Sequence, residues 1–337
     1  AATAASGNIP KASASREIIF LTKGTRTFFS NIPRLRRKNG LGFFPAAAWP
    51  RLLPMPEALK PDDYLPLVQA ALAEDIGGGD ATTLALVPED AAATAAMVAR
   101  EPLVMAGADL ALAAFQQVDE RVEFGIEIFD GQLAALGQTL LRVQGPTQAL
   151  LTAERTALNF VQRLAGVATL TARFVEEVAG TGAQILDTRK TTPGWRALEK
   201  YAVACGGGTN HRVGLYDRVM VKDNHLAALD GDIAKAVALA REASPELKIE
   251  VEADTVEQAQ AAAEAGAGIV LLDNMSCEQI REAIELIDGR SETEASGGVT
   301  LETVREIAGT GVNFISVGAL THSAPSVDIA FDFDQIA

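Results

Sequence analysis

Short apolar segments alternate with amphipathic segments of helical period from residue 183 to residue 317, and this alternation constrains the fold most strongly. Strands that alternate with helices form parallel sheets, because each helix returns the chain to the same edge. A long amphipathic helix precedes them, with Thr152 predicted as its N-cap and Gly180 near its end. The predicted strands are 183–187, 217–222, 247–252, 268–272 and 312–317, and the predicted helices lie near 196–204, 230–243, 255–265, 276–287 and 300–309.

Local signals support the boundaries of these helices. Thr255 with Gln258, and Ser276 with Gln279, have the spacing of capping boxes. Gly266 follows the last apolar position of one helix, where glycine commonly ends a helix. Fewer than eight strands can be counted, but we expect the sheet to close into a barrel. Ligands of such folds bind at the C-terminal ends of the strands.

The residues before the long helix form a different unit. Residues 57–151 contain a predicted helix over 62–74 and short strand-like segments such as AAMVARE and QTLLRVQG, which indicates a small α+β domain. Residues 1–56 hold nine Lys or Arg and one acid. Such a basic leader is typical of a transit peptide, and equally of a tag or an extension upstream of a start near Met55.

Charge is divided unevenly along the 337 residues. The formal net charge of −15 combines +8 in residues 1–56 with −23 in the remainder. An acidic body argues against nucleic acid as a partner, and an anionic ligand would need a local cluster of cations. The two cysteines are isolated, and no apolar run approaches the roughly 20 residues of a membrane span. We therefore expect no membrane partner and a cytoplasmic protein, with organelle targeting by residues 1–56 left open.

Cationic side chains follow successive predicted strands. A segment with three glycines, CGGGTNHR, lies among them, and glycine lets the backbone approach a ligand closely. The cations and the histidine at these positions are Arg189, Lys190, His211, Arg212 and Lys222. Parallel strands bring these positions to one rim, so the sequence predicts an anion-binding region there.

Acidic and glycine-rich positions follow the later strands. Glu250 and Glu252 share one face of a predicted strand, although parallel strands are normally apolar on both faces. Asp273 ends the next strand. Ser-Gly-Gly at 296–298 precedes a helix predicted to be capped by Thr300, where main-chain N–H groups and the helix dipole would favour a phosphate.

Each of these features also has an ordinary structural explanation. An Arg-Lys pair after a strand is commonly a solvated turn, a glycine run is commonly a loop, and Lys222 could pair with Glu252 purely for structure. The polar groups recur at successive strand ends, however, whereas chance would distribute them over both rims. The ligand that fits has carboxylates at one end and a phosphorylated, hydroxyl-rich, metal-bound part at the other.

Eight segments in series carry a family resemblance. They are ERTALNFVQRLAGVAT, DTRKTTPGWRALEKYAV, CGGGTNHR, VKDNH, EVEAD, LLDN, ASGG and VGALTHS. In this order they resemble the quinolinate phosphoribosyltransferases, and LAEDIGGGDATT at 72–83 resembles the N-terminal domain of that family. The resemblance covers residues 57–335.

The resemblance implies an α/β fold in which an incomplete parallel α/β barrel, residues 152–318, is preceded by a smaller α/β sandwich domain, residues 57–151. Residues 319–337 would return to the first domain as a strand. It also implies a homodimer with shared active sites, and a higher oligomer is left open. The implied reaction, in de novo NAD biosynthesis, joins quinolinate to phosphoribosyl pyrophosphate with Mg²⁺ as cofactor and gives nicotinate mononucleotide, CO₂ and pyrophosphate.

The resemblance also assigns roles to residues of this chain. Quinolinate would be bound by Arg155 across the dimer interface and by Arg189, Lys190, His211, Arg212 and Lys222. Phosphoribosyl pyrophosphate would be bound by Glu252, Asp273, Ser296, Gly297, Gly298, Gly318 and His322. The catalytic residues would be Glu252, Asp273, Lys190 and Lys222, and the first two would hold Mg²⁺ directly or through water. Guanidinium groups suit carboxylates, and which lysine contacts pyrophosphate stays open.

Three alternatives remain at this point. A paralogous phosphoribosyltransferase would share the fold and use another ring base, but Arg155, Arg189, His211 and Arg212 favour a dicarboxylate. A Schiff-base aldolase would use Lys222 as its nucleophile, although neighbouring acids would keep that lysine protonated. A ligand-binding barrel without catalysis would bind quinolinate and release no pyrophosphate.

Overall fold

The computed structural model describes residues 19–22, 25–27 and 57–336, which form a sheet domain and a parallel barrel. The elements of the first domain are β1 (Ile19–Thr22), β2 (Thr25–Thr27), α1 (Pro61–Ile76), α2 (Ala81–Leu86), β3 (Ala92–Ala99), β4 (Leu103–Val104), α3 (Ala108–Val118), β5 (Glu123–Ile126), β6 (Leu133–Ala134) and β7 (Thr139–Pro146). A long helix, α4 (Thr147–Glu177), follows. Most of the predicted leader, residues 1–56, lies outside the described residues.

The barrel and the C-terminal strand follow α4 in the chain. Their elements are β8 (Gln184–Leu186), α5 (Arg196–Cys205), β9 (Val219–Val221), α6 (Asp223–Ala227), α7 (Ile233–Ala243), β10 (Ile249–Ala253), α8 (Val256–Glu264), β11 (Ile269–Asp273), α9 (Cys277–Ile287), β12 (Glu292–Ser296), α10 (Val304–Ala308), β13 (Phe314–Ser316), α11 (Ala319–His322) and β14 (Ile329–Ile336). The capping box predicted at Ser276 and Gln279 is confirmed. Thr255 caps its helix by accepting from the Gln258 main-chain N–H, but the predicted box there was wrong, because the Gln258 side chain accepts from the Asp254 N–H instead.

One antiparallel sheet forms the first domain, with strand order β14-β3-β7-β5-β1-β2. Strand β14 pairs along the whole length of β3, so the C-terminal segment returns to this domain. Strand β1 adds to the opposite edge by pairing with β5. Phe115 of α3 stacks on Phe331 of β14 with ring centroids 5.5 Å apart, which anchors the returning strand to a helix of the first domain.

Helix α4 connects the two domains and buries one face along most of its length. Leu150 and Leu164 on this face are fully buried, and Phe160 stacks on Trp195 of the barrel at 4.9 Å. The predicted N-cap Thr152 was wrong, because the helix begins at Thr147 and Thr152 lies within it. Strand β7 runs directly into the helix, and the Thr147 main-chain N–H bonds to the Ala91 carbonyl at 2.9 Å, so a later cap is not needed.

The six parallel strands of the barrel sheet have the order β8-β13-β12-β11-β10-β9, and Thr209 adds a single bridge beside Leu186 of β8. The sheet curls, so that the edge at β8 and the edge at β9 face each other. A side-chain contact connects the two edges. Arg212, just after the bridge at one edge, donates to the Arg218 carbonyl at 3.3 Å, just before β9 at the other edge. The described strands form no backbone ladder between these edges, so the barrel is incomplete, as the family resemblance implies, and the full closure expected from the strand pattern was wrong.

Two features of the barrel differ from the sequence-based expectation. Strand β12 was not predicted from the sequence, because its residues, ETEAS, are unusually polar for a buried strand. Thr293 and Glu294 in it are nonetheless buried. The predicted cap at Thr300 was also wrong, since α10 begins at Val304 after a turn in which Thr300 accepts from the Val304 N–H at 2.9 Å.

Gly166 gives a test of how α4 packs. A Cβ atom at this position would lie 2.1 Å from the Pro325 carbonyl oxygen, so Gly166→Ala must displace the segment that leads to β14. Alanine favours a helix by about 1 kcal/mol, but we expect a net loss of about 1–3 kcal/mol from overpacking. Chemical denaturation measures this loss. Gly78→Ala is the control, because no atom of the described residues lies within 4 Å of its Cβ position. Equal stability of the two variants would contradict the packing.

Candidate active site

A cavity of about 460 Å³ opens at the C-terminal ends of the barrel strands. Ten of the residues predicted for the site line it: Arg189, Lys190, His211, Arg212, Lys222, Glu252, Asp273, Ser296, Gly297 and Gly298. They come from different strands, and the parallel sheet brings their ends to one rim, as expected for this fold. The structure therefore brings these ten residues together at one cavity, and their individual roles stay predictions.

The loop after β8 contributes two cations to this cavity, Arg189 and Lys190. Arg189 is half-buried, and its Nε–H is buried with no hydrogen-bond partner among the residues that the structure describes. A buried donor without a partner costs free energy that a ligand oxygen would recover. Both residues line the cavity, so both are within reach of a ligand there.

A buried ion pair holds the base of this loop. Lys200 of α5 contacts Asp187 at 2.5 Å and also donates to the His211 carbonyl at 2.9 Å. Asp187 in turn accepts from the His211 main-chain N–H at 2.8 Å. Burial raises the pKa of Asp187 to about 6, although Lys200 opposes this shift. The pair therefore fixes the end of β8 against the segment that carries His211 and Arg212.

His211 lies in the interior of the barrel beside two buried acids. Its Nε2 is 3.2 Å from a Glu250 carboxylate oxygen and 3.4 Å from one of Glu294. Burial lowers the pKa of His211, but the contacts with Glu250 and Glu294 outweigh it and raise the pKa to about 9. The Arg212 main-chain N–H lies 2.6 Å from Nδ1 and favours the neutral ring with its proton on Nε2. In both forms Nε2 carries a proton that faces the acids.

The two acids around His211 differ in their surroundings. Arg218 donates to Glu250 at 3.0 Å. Burial raises the pKa of Glu250, but the bonds from His211 and Arg218 reverse this and leave it below its ordinary value. Among the described residues no arginine pairs with Glu294, and burial raises its pKa. These three side chains could in principle hold a cation, but Arg218 already supplies positive charge to the cluster.

The opposite side of the cavity is acidic. Glu252 of β10 forms an ion pair with Lys222 at 2.7 Å, and Asp273 at the end of β11 accepts from the Asn274 amide at 2.6 Å. These two acids line the cavity, whereas Asp254, on the same face by sequence, is exposed beyond the end of β10. The carboxylates of Glu252 and Asp273 offer the hard oxygen ligands that Mg²⁺ prefers.

A turn after β12 forms the remaining wall through Ser296, Gly297 and Gly298. Gly297 and Gly298 have φ values of 100° and 58°, which favour glycine. A Cβ atom at Gly297 would lie 2.1 Å from the Asn274 side-chain oxygen, so a larger residue would not fit. Because α10 starts only at Val304, this turn presents its own backbone to a ligand and not the start of a helix.

Three predicted residues do not line the cavity. Gly318 and His322 lie at its margin, where a Cβ atom on Gly318 would be 3.1 Å from both the Lys190 Cδ and the His322 Nε2. Arg155 is exposed on α4 and does not line this chain's cavity. Its predicted role, in the site of a partner subunit, stays a prediction.

Other lining residues were not predicted from the sequence. They are Thr188, Met220, Leu271, Asn274, Glu294 and Ser316. Met220 and Leu271 supply an apolar surface of the kind that packs against a flat ring. They could have been found from the period of two along β9 and β11, since they lie two residues before Lys222 and Asp273.

The fold and the cavity together define a class of protein: an α/β-barrel protein whose strand ends bind a ligand with several anionic groups. Comparison with known families agrees. The model for "Quinolinate phosphoribosyl transferase, C-terminal domain" matches residues 167–332, and that for the N-terminal domain of the same family matches residues 80–165. The chain therefore belongs to the quinolinate phosphoribosyl transferase family.

Individual relatives agree with this assignment. The chain is 47% identical over 273 residues to the nicotinate-nucleotide pyrophosphorylase [carboxylating] of Mycobacterium leprae, with 79% of this chain and 95% of that protein covered. A rice relative, the Oryza sativa subsp. japonica enzyme named "chloroplastic", is 40% identical over 327 residues, which cover 91% of this chain and 86% of that protein. The crystal structure of NadC from Streptococcus pyogenes is 40% identical, with a TM-score of 0.80 over 84% of this chain and 99% of that one.

The Asp187–Lys200 pair provides a test of the buried framework. Lys200→Met leaves the Asp187 carboxylate unpaired, and we expect a loss of about 3–5 kcal/mol in the free energy of unfolding near pH 7. Without Lys200 the folded state should bind the Asp187 proton more tightly than the unfolded state does. The stability of the variant should therefore fall as pH rises from about 4 through about 6 and above.

Lys248→Met is the matched control, because Lys248 pairs with Glu292 and both side chains are about half exposed. We expect a loss of about 1 kcal/mol or less for this control. Denaturant titrations at several pH values measure both variants. If Lys200→Met lost no more stability than Lys248→Met, the buried pair would not hold the loop after β8.

Proposed function

We propose that the protein transfers the phosphoribosyl group of phosphoribosyl pyrophosphate to the ring nitrogen of quinolinate, with release of pyrophosphate and CO₂, to give nicotinate mononucleotide. The observation that carries this proposal is the division of charge in one cavity. Cations lie on the side of β8 and β9, while carboxylates and a glycine turn lie on the side of β10 to β12. A dicarboxylate and a phosphorylated sugar would each meet complementary groups, and family membership supports both substrates.

The cationic side suits the two adjacent carboxylates of quinolinate. Arg189 offers an Nε–H that has no partner in the described part of the chain, and planar guanidinium groups bind carboxylates in bidentate fashion. Arg212, Lys190 and Lys222 add positive charge around the same space. His211 adds positive charge to this region from the interior of the barrel, although its Nε2 faces Glu250 and Glu294.

The acidic side suits the ribose and its phosphates. As the ring nitrogen attacks the anomeric carbon, pyrophosphate leaves and the sugar develops positive charge, which the carboxylates of Glu252 and Asp273 stabilise. The Ser296–Gly298 turn offers main-chain N–H groups to the 5′-phosphate, and Gly318 and His322 lie at the margin on the pyrophosphate side. Lys190, which contacts this margin, is the lysine that we assign to pyrophosphate.

Mg²⁺ fits the same end of the cavity. Glu252 and Asp273 both line it and present carboxylate oxygens, and Mg²⁺ commonly takes few protein ligands because substrate phosphates and water complete its shell. When bound, the ion would neutralise charge on the leaving pyrophosphate. Lys222, which pairs with Glu252, orients that carboxylate.

Decarboxylation follows from the first step. Bond formation at the ring nitrogen gives the pyridine a positive charge, so the electron pair of the breaking carbon–carbon bond can remain on the ring as CO₂ leaves. The ring carbon then takes up a proton. The cations around the cavity hold the second carboxylate, which is retained in the product.

A homodimer with shared sites completes the proposal, and a higher oligomer remains open. Arg155 is exposed on α4 and does not line this chain's cavity, which is compatible with a role in the partner's site. We propose that it binds a quinolinate carboxylate there. No role for nucleic acid or for a membrane is proposed.

Two observations bear on location and on the membrane. Among the described residues, no helix is long and apolar enough to cross a membrane. The cytoplasmic location stays a prediction. The rice relative matches a larger share of this chain than residues 57–337 make up. The match therefore includes part of residues 1–56. This supports the alternative that the basic leader directs the protein to an organelle.

The Schiff-base aldolase is less well supported. It requires a neutral amine at Lys222, whereas this lysine forms an ion pair with Glu252. Trapping by borohydride in the presence of a carbonyl substrate would favour the aldolase.

The activity itself is tested with quinolinate, phosphoribosyl pyrophosphate and MgCl₂. We expect nicotinate mononucleotide, pyrophosphate and CO₂ in equal amounts, and no product when quinolinate is omitted. Turnover with nicotinate or another ring base but not with quinolinate would identify a paralogue. Tight binding of quinolinate without pyrophosphate release would indicate a binding protein and contradict the proposal.

The carboxylate-binding role is tested by Arg189→Ala and Arg212→Ala. Each variant loses charge-assisted hydrogen bonds, and we expect the Kd for quinolinate to rise by about 10- to 100-fold. Calorimetric titration measures the affinity. Arg281→Ala, on the exposed face of α9, is the control and should bind like the original chain. Unchanged affinity in Arg189→Ala and Arg212→Ala would remove these residues from the quinolinate site.

The shared site is tested by mixing two inactive chains. One carries Arg155→Ala and the other carries His211→Ala. If Arg155 acts in the partner's site, a mixed dimer keeps one of its two sites with neither change, so about half of the original activity per mixed dimer is expected. Activity assays on heterodimers isolated with two affinity tags measure the recovery. Isolated heterodimers without activity would show that Arg155 does not serve a shared site.

A further inference from the structure

Arg163 of α4 forms a set of contacts that the proposed reaction does not use. Its guanidinium donates to the Ala324 carbonyl at 2.6 Å and to the Thr321 carbonyl. It also forms an ion pair with Glu199 of α5 at 2.8 Å. One side chain on the long helix therefore reaches two separate segments, the turn that follows β13 and the first part of α5.

Glu199 connects Arg163 to the loop after β8. It is fully buried, and its carboxylate accepts from the Thr192 main-chain N–H at 3.0 Å and from the Thr192 hydroxyl at 2.9 Å. Residues 188–194, here called the Lys190 loop, are thereby tied to Arg163 through Glu199. A buried carboxylate with a cation and two further donors is well satisfied, so this connection is specific in geometry.

The same two segments also touch each other. Residues 318–324, here called the Gly318 turn, contact the Lys190 loop through a hydrogen bond from the Thr321 hydroxyl to the Lys190 carbonyl at 2.7 Å. A Cβ atom on Gly318 would lie 3.1 Å from the Lys190 Cδ. Arg163 contacts the Gly318 turn directly and the Lys190 loop through Glu199. The position of Lys190 relative to Gly318 therefore depends on Arg163.

We infer that Arg163 is a positioning residue for phosphoribosyl transfer, which sets the Lys190 loop and the Gly318 turn at the separation that the pyrophosphate requires. This inference rests on the proposed function, in which Lys190 and Gly318 meet the phosphates of phosphoribosyl pyrophosphate. Neither segment belongs to a strand of the barrel sheet, so the sheet alone does not fix their separation. Displacement of a reacting group by about 1 Å costs up to about 100-fold in rate.

Arg305 of α10 provides a matched control at the C-terminal end of α4. Its guanidinium donates to the carbonyls of Glu177 and Ala179 at 2.7 and 2.8 Å, so it too contacts two main-chain oxygens. It does not line the cavity. A lysine at either position keeps the charge but not the planar group that serves several acceptors at once.

The test compares Arg163→Lys with Arg305→Lys in steady-state kinetics. We expect Arg163→Lys to lower kcat/KM for phosphoribosyl pyrophosphate by about 10-fold or more. The Kd for quinolinate alone should rise by a smaller factor than kcat/KM falls, because Arg212 and Lys222 lie on other segments and only Arg189 and Lys190 move with the Lys190 loop. Arg305→Lys should match the original chain in both. Equal kinetics for Arg163→Lys and Arg305→Lys would overturn the inference, as would an equal loss for the two substrates.

A second pair of variants tests the Thr321 hydroxyl, which donates to the Lys190 carbonyl at 2.7 Å and lies 3.3 Å from the Gly318 carbonyl of its own turn. Thr321→Val keeps the shape of the buried side chain and loses the hydroxyl, whereas Thr321→Ser keeps the hydroxyl. We expect Thr321→Val to lower kcat/KM for phosphoribosyl pyrophosphate and Thr321→Ser to restore it to within about threefold. If the serine variant were as impaired as the valine variant, or if neither were impaired, the link would have no positioning role. This pair decides the question even if Arg163→Lys does not fold.

The original chain separates the two proposals. If it releases no pyrophosphate from phosphoribosyl pyrophosphate and quinolinate, the proposed function fails. If it is active and both Arg163→Lys and Thr321→Val are equally active, only the positioning role fails.

Discussion

The ion pair between Asp187 and Lys200 is the contact on which the rest of the site depends. It lies where β8 ends, it is almost fully buried, and both partners also bond to the main chain of His211. It joins three parts of the barrel: the first strand, helix α5 and the segment that carries His211 and Arg212. A buried pair adds little stability compared with apolar packing, but loss of one partner is costly, so such a pair mainly fixes one arrangement.

The charges of the cavity follow from how the buried acids are paired. Glu250 is matched by Arg218 and His211, and Glu199 is matched by Arg163. Because each of these acids pairs with its own cation, it does not need an ion pair with the arginines that line the cavity. Arg189 keeps an Nε–H without a partner among the described residues. The chain is acidic as a whole, and a local positive region for an anionic substrate arises only through this division.

Much of this arrangement could be predicted from the sequence because it depends on one simple rule. Parallel strands place their C-terminal ends at one rim, so Arg189, Lys222 and Asp273, each at or just after a strand, were expected to meet. Glu294 was not predicted, since β12 is polar and its side chains gave no apolar alternation. Arg163 was missed for another reason: its contacts depend on how α4 crosses the barrel, which no local pattern reveals. The starts of α4 and α10 were misplaced because main-chain contacts, and not Thr152 or Thr300, begin those helices.

The most direct test of the account is a crystal structure of the protein with nicotinate mononucleotide bound. The charge division in the cavity gives the ligand one orientation. We expect its carboxylate at the guanidinium of Arg189 or Arg212, its ribose hydroxyls at Glu252 and Asp273, and its 5′-phosphate on the Ser296–Gly298 turn. A ligand bound in the reverse orientation, with its phosphate among the arginines, would contradict the assignment of the two sides of the cavity.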